Sequence, residues 1–196
     1  MMNNIEKGLL SLLTAGIGNE PKGVFPTLSV MEWRELFALS EKMGICAIAL
    51  DGYYHLLDEG LLGAPVDEAL EYRKLAWYGQ SMHLELEVAK QREWIDELVL
   101  FLEENGLRVL GLKGPAIAQW YPNPLHRSSS DLDVFLLNAK GDGFSLSAFE
   151  RGNNLVESHG GTVDKRIYLH SVFKYKGLTV ENHQHFTAVR SSKRQA

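Results

Sequence analysis

The chain has 196 residues, 45% hydrophobic and 23% charged, with a formal net charge of −5. That length can bury roughly 70% of its unfolded surface as one domain, or as one domain with a helical appendage. The composition excludes a disordered chain, a collagen-like repeat and a coiled-coil rod. A single cysteine, Cys46, excludes an internal disulfide framework and a cysteine-pair zinc knuckle, and makes a reducing compartment, the cytoplasm, the default expectation.

No apolar run approaches the ~20 residues of a membrane span. The apolar stretch at residues 8–17 follows Glu6 and Lys7, without the net positive charge of a secretion signal. Charge is unevenly spread. Residues 1–107 hold 8 basic and 18 acidic side chains, whereas residues 108–196 hold 12 basic and 7 acidic, together with five of the seven histidines. An anionic ligand therefore belongs to the C-terminal part, unless the two parts are simply differently charged solvated surfaces.

In chain order, Ile5, Leu9, Leu10, Leu12 and Leu13 form the apolar stripe of a short helix ending at Gly16 or Gly18. Ser29 and Glu32 form a capping box for a second helix carrying Trp33, Leu36, Phe37 and Leu39 and stopping at Gly44. Residues 45–57 read as a third helix. Pro65, with Asp67 and Glu68 near it, fits the first turn of a long helical stretch that stops at Gly106, either unbroken or kinked at Gly79. Trp77 and Trp94 are its packing residues.

At Gly106 the pattern changes to strand, helix, strand, helix, hairpin. The strands are residues 108–112 and 132–137, the helices residues 116–121 and 144–159, and the hairpin turns at Lys176 and Gly177. The expected fold is α/β in the α+β sense: a helical region at 1–106 packed on a small mixed sheet, an α/β core at 107–190, and a disordered tail at 191–196.

The segment Ser130-Asp131-Leu132-Asp133 carries the chemistry. On a strand, Asp131 and Asp133 share one face while Leu132, Val134 and Leu136 take the other. Two neighbouring carboxylates repel, and a divalent cation relieves the repulsion; Mg²⁺ typically takes one or two carboxylates together with substrate phosphate. A pair of solvated charges at a strand mouth is the competing explanation. With a two-residue turn, Tyr175 pairs with Leu178, so Phe173, Tyr175, Leu178 and Val180 share one hairpin face. His170, Lys174, Thr179, Glu181 and His183 share the other. Glu181 is thereby available as a third carboxylate if the hairpin joins the same sheet; otherwise it faces solvent.

Gly111-Leu112-Lys113-Gly114-Pro115 places a glycine turn and a lysine between a strand and a helix, a phosphate-binding arrangement. It lacks the spacing of a Walker A loop. Arg127 and Ser130 add phosphate contacts upstream of the carboxylates. A transition-metal site from His170, His183 and His185 is the less favoured use of these histidines, and no Gly-x-Ser-x-Gly elbow supports a serine hydrolase.

These motifs resemble the minimal nucleotidyltransferase fold of the DNA polymerase beta-like superfamily. They are most similar to a group of largely uncharacterised bacterial nucleotidyltransferase-like proteins with an N-terminal helical region. That group has Leu-Lys-Gly, an Arg, an Asp-x-Asp strand and an acidic-x-His element, matched here by Leu112-Lys113-Gly114, Arg127, Asp131-Leu132-Asp133 and Glu181-Asn182-His183. The resemblance implies nucleotidyl transfer from a nucleoside triphosphate to an unknown acceptor, with Mg²⁺ or Mn²⁺ on Asp131, Asp133 and Glu181 as the catalytic carboxylates. Lys113, Gly114, Arg127 and Ser130 are then the nucleotide-binding residues. Neither nucleic acid nor a membrane is an expected partner. Lys113-Gly114 departs from the superfamily's usual Gly-Ser, and the group usually continues into a further helical region beyond the hairpin. The alternative expectation is therefore a catalytically impaired nucleotide-binding or protein-interaction module.

Overall fold

The computed structural model describes residues 2–20, 23–62, 68–140, 146–167 and 169–185. It is an α+β protein, and its contacts divide it into two units, Met1–Lys90 with Ile117–Ser128, and Gln91–Ala116 with Ser129–Ala196.

The first unit begins with α1 (Asn4–Gly16), α2 (Val30–Lys42) and α3 (Cys46–Asp58). Capping boxes start the first two: Asn3 accepts from the Glu6 amide while Glu6 returns to the Asn3 amide, and Ser29 and Glu32 do the same. Where α1 crosses α3 the backbones touch. A Cβ on Gly52 would sit 1.8 Å from the Leu12 carbonyl oxygen, and one on Gly16 would sit 2.0 Å from that of Ile48. The core of this unit is Leu12, Leu36, Tyr53, Leu56 and Trp77, with the Trp77 indole donating to the Cys46 carbonyl at 2.6 Å. Burial pushes the Cys46 thiol up to about 12, which makes it a poor nucleophile.

The long helix α4 (Glu68–Glu104) runs unbroken through Gly79. Its expected first turn at Pro65 and Asp67 lies outside the described residues. Its earlier part belongs to the first unit, and its last turns join the second.

One charge cluster around a buried histidine was not expected from the sequence. His126, in a single 3-10 turn at Pro124–His126, holds carboxylates on both ring nitrogens: Asp51 of α3 at 2.6 Å and Glu85 of α4 at 2.8 Å. The ring is 7% exposed. Burial alone pushes its pKa down, but the two carboxylates more than compensate and hold it above the ordinary imidazole value. A raised folded-state pKa means that the cluster stabilises fully below the ordinary value, and that its contribution is lost as pH rises through the raised one.

The second unit is built on a five-stranded mixed sheet ordered β1-β2-β5-β4-β3: β1 (Leu107–Gly111), β2 (Asp131–Asn138), β3 (Val163–Asp164), β4 (His170–Tyr175) and β5 (Leu178–His183). β2 pairs parallel with β5, and the other pairings are antiparallel. The hairpin register is the expected one, Tyr175 opposite Leu178. The two-residue strand β3 carries no alternation to announce it and was not expected. α5 (Pro115–Ala118) is a single turn, shorter than the expected 116–121, and α6 (Leu146–Ser158) follows β2.

Leu132, Val134, Leu136, Phe173, Leu178 and Val180 close one sheet face over Leu98 and Leu102 of α4 and Val156 of α6. A polar knot pins that face. Asn153 of α6 accepts from the Ser171 hydroxyl at 2.6 Å and from the Asn182 amide at 3.0 Å, all three buried.

Two outcomes are expected. Gly52→Ala should cost about 3 kcal/mol in chemical denaturation, because neither backbone at the crossing can yield cheaply. His126→Leu should cost about 1 to 3 kcal/mol at pH 6, with the gap to wild type closing as pH rises, as read from thermal unfolding across pH 6 to 9.

Candidate functional site

The parallel pairing of β2 with β5 assembles the site. It sets Asp131 opposite Thr179 and Asp133 opposite Glu181. The antiparallel pairing of β4 sets His170 opposite His183. Since side chains alternate across a sheet, Asp131, Asp133, Glu181, His183 and His170 all rise from the face opposite the apolar core.

Asp133 is 1% exposed, and its charge is met from two sides. The Lys113 ammonium lies 2.6 Å from its Oδ1, and His183 Nε2 lies 2.8 Å from the same atom. Burial pushes the Asp133 carboxyl up, yet Lys113 and His183 outweigh burial and leave it below the usual carboxylate range. Asp133 is therefore ionised at neutral pH, and His183 Nε2 is the donor in their hydrogen bond. Lys113 is held above its ordinary value by the Asp133 hydrogen bond, with the fields of Glu181 and Asp131 adding to it.

Glu181 Oε2 lies 3.6 Å from the same His183 Nε2, so the Asp133 and Glu181 oxygens are no farther apart than these two contacts together. His170 Nε2 lies 3.7 Å from Glu181 Oε2 on its other side.

The glycine turn is fixed against the start of β2. The Leu112 amide donates to the Asp133 carbonyl at 3.0 Å, which continues the pairing beyond β1 and brings Lys113 to the site. Gly114 has φ +55°, and a Cβ there would lie 2.5 Å from Ser129 Oγ and 3.0 Å from the Asp131 carbonyl oxygen. The Ser129 hydroxyl donates to that carbonyl at 2.8 Å, and the Ser130 hydroxyl donates to Asp131 Oδ1 at 3.1 Å.

A backbone phosphate cradle is sparse here. Pro115 has no amide hydrogen, and the Ala116 amide is taken by the Lys113 carbonyl at 3.1 Å. The Lys113 ammonium is the cation that this turn supplies. Arg127 belongs to the first unit, where its guanidinium donates to the Ser128 carbonyl.

Sequence reasoning missed the contact of His183 with Asp133 and the knot beneath it. Asn182 offered a signal for the latter: a polar residue at the apolar-face position between Glu181 and His183.

A mixed sheet with an acidic pair on one strand and a third carboxylate on its parallel neighbour is the arrangement expected from the resemblance to nucleotidyltransferases. A family model described as uncharacterised nucleotidyltransferase matches residues 29–196, and the chain belongs to that family. No curated protein and no solved structure matches it. Among the described residues, no helix is long and apolar enough to cross a membrane.

Lys113→Met should raise the Asp133 pKa, measured by carboxyl carbon NMR titration. Because a lowered folded-state pKa stabilises above the unfolded value and the benefit is lost as pH falls through the folded one, acid unfolding of this variant should begin at higher pH than in wild type.

Proposed function

We propose that this site moves a nucleoside monophosphate from a nucleoside triphosphate to an acceptor hydroxyl. The observation that carries the reading is the Asp131, Asp133 and Glu181 set on one sheet face, with the Asp133 charge already compensated by the ammonium of an exposed side chain. The donor set suits Mg²⁺ or Mn²⁺: Asp131 and Asp133 offer hard oxygens side by side, and Lys113 Nζ, 60% exposed as a side chain, holds a cation's position on Asp133. The bound ion supplies charge neutralisation between these carboxylates and the phosphates, and polarises the phosphorus centre.

Asp131 and Asp133 would hold that ion. Lys113 would turn its ammonium from Asp133 to the phosphate oxygens, a charge-assisted bond. Ser130 keeps Asp131 oriented. Glu181 helps to remove the acceptor hydroxyl proton as the oxygen attacks the α-phosphorus; the bond to the bridging oxygen breaks and pyrophosphate leaves. Gly114 keeps the turn closed on β2 so that Lys113 stays within reach.

Calorimetry with nucleoside triphosphates should show Mg²⁺-dependent binding that Asp131→Asn with Asp133→Asn abolishes. Lys113→Ala should weaken it by about 1 to 3 kcal/mol. Equal affinity with and without Mg²⁺ would overturn the reading. Labelled nucleotide incubated with cell extract then reveals the acceptor, through label whose transfer is lost in Asp133→Asn.

A further inference from the structure

We propose that His170, Glu181 and His183 form a binding site for a divalent transition-metal ion, of which Zn²⁺ is the type, that fills without nucleotide. Among the described residues these three offer one donor atom each, all within 4.8 Å of one another. A tetrahedral ion with bonds of about 2.0 to 2.1 Å separates its donors by about 3.3 Å. The separations of Glu181 Oε2 from the two imidazole nitrogens, 3.6 and 3.7 Å, are within a few tenths of an ångström of that value. Little side-chain movement closes the site.

The donor type sets the selectivity. Imidazole nitrogen suits zinc and its neighbours, whereas Mg²⁺ prefers oxygen and gives up its water reluctantly. Two imidazoles flanking one carboxylate make a poor magnesium site and a good zinc site. The scaffold is rigid where it matters: His170 and His183 are cross-strand partners with ring centroids 5.1 Å apart, both mostly buried, and the Asn182 knot pins the strand between Glu181 and His183 from behind. Neither histidine needs to cross the sheet to reach the ion.

Asp133 completes the chemistry. His183 Nε2 now carries the proton that it donates to Asp133. When that nitrogen ligates an ion, the neutral ring shifts its proton to Nδ1, and the ion takes its place as the positive neighbour of the Asp133 carboxylate. Protons compete with the ion for the imidazole nitrogens and the carboxylate, so affinity falls as pH falls. Glu181 has two carboxylate oxygens, so ligation through one leaves the other available to accept a proton.

The site requires no nucleotide, so it is tested apart from the nucleotidyl-transfer reading. Chelator-treated protein is titrated with Zn²⁺ and with Mg²⁺ by calorimetry, and with Co²⁺ by visible absorption as a reporter of low-coordinate geometry. The expected result is one Zn²⁺ per chain, bound at least about 100-fold more tightly than Mg²⁺ in the absence of nucleotide, with intense tetrahedral Co²⁺ bands. His170→Gln, which keeps a polar side chain on β4, should weaken Zn²⁺ at least about 10-fold and remove the Co²⁺ bands, with circular dichroism unchanged. Asp131→Asn should leave Zn²⁺ affinity within about twofold. Absence of saturable Zn²⁺ binding, a preference for Mg²⁺, or Zn²⁺ binding that His170→Gln and His183→Gln both leave intact would overturn the site. Failure of Mg²⁺-dependent triphosphate binding with the Zn²⁺ site intact would overturn only the other reading.

Discussion

A carboxylate taken almost wholly out of water has to be met by positive charge, because leaving it bare costs on the order of several kcal/mol. Asp133 sits under that constraint at 1% exposure, and the rest of the second unit is arranged to satisfy it. Lys113 reaches it because the β1 pairing continues to Leu112 and then turns at Gly114. His183 reaches it because β5 lies parallel to β2 in a register that carries both residues to the same face. Neither cation could be supplied by β2 itself.

The hairpin is thus held from both faces. On the polar side, Glu181 and His183 are tied to Asp133 and His170. On the apolar side, Asn182, the residue between them, is tied to Asn153 of α6, and Ser171 of β4 joins the same acceptor. A slip of one residue would exchange these two sets, putting buried amides among the carboxylates and charges into the core, so the register is strongly specified. The same alternation that buries Val180 therefore positions Glu181.

The features legible in the sequence are the local ones. Ser29 with Glu32, Lys176 with Gly177, and Asp131 with Asp133 each express a physical rule within a few residues: a capping box, a two-residue turn and a period of two. From them follow α2, the hairpin register and the shared face of the acidic pair. What was not legible depends on residues far apart in the chain. The parallel neighbour of β2 is one such case, since nothing in Asp131-Leu132-Asp133 names its partner. His126 is another: it meets Asp51 and Glu85 across 75 and 41 residues, and a lone histidine beside Pro124 gives no sign of it. Two-residue β3 is too short for a pattern. The long helix was readable, but its N-terminal signals at Pro65 and Asp67 lie outside the described residues.

The Lys113-Gly114 turn acquires a physical sense from this charge balance. A turn rich in free amides binds phosphate with donors that are always present, and it leaves the acidic pair to be neutralised only when metal arrives. Here one of the expected amides is absent at Pro115 and another is consumed by the Lys113 carbonyl, while the lysine ammonium rests on Asp133. Under the proposed reading, the cation that leaves Asp133 on metal entry is the one that the incoming phosphates need. Entry of metal and entry of triphosphate would then favour each other: triphosphate alone leaves Lys113 with two competing acceptors, and metal alone leaves its ammonium displaced without one. The exposure of the Lys113 side chain, against the near-complete burial of its partner, makes it the member of the pair able to move.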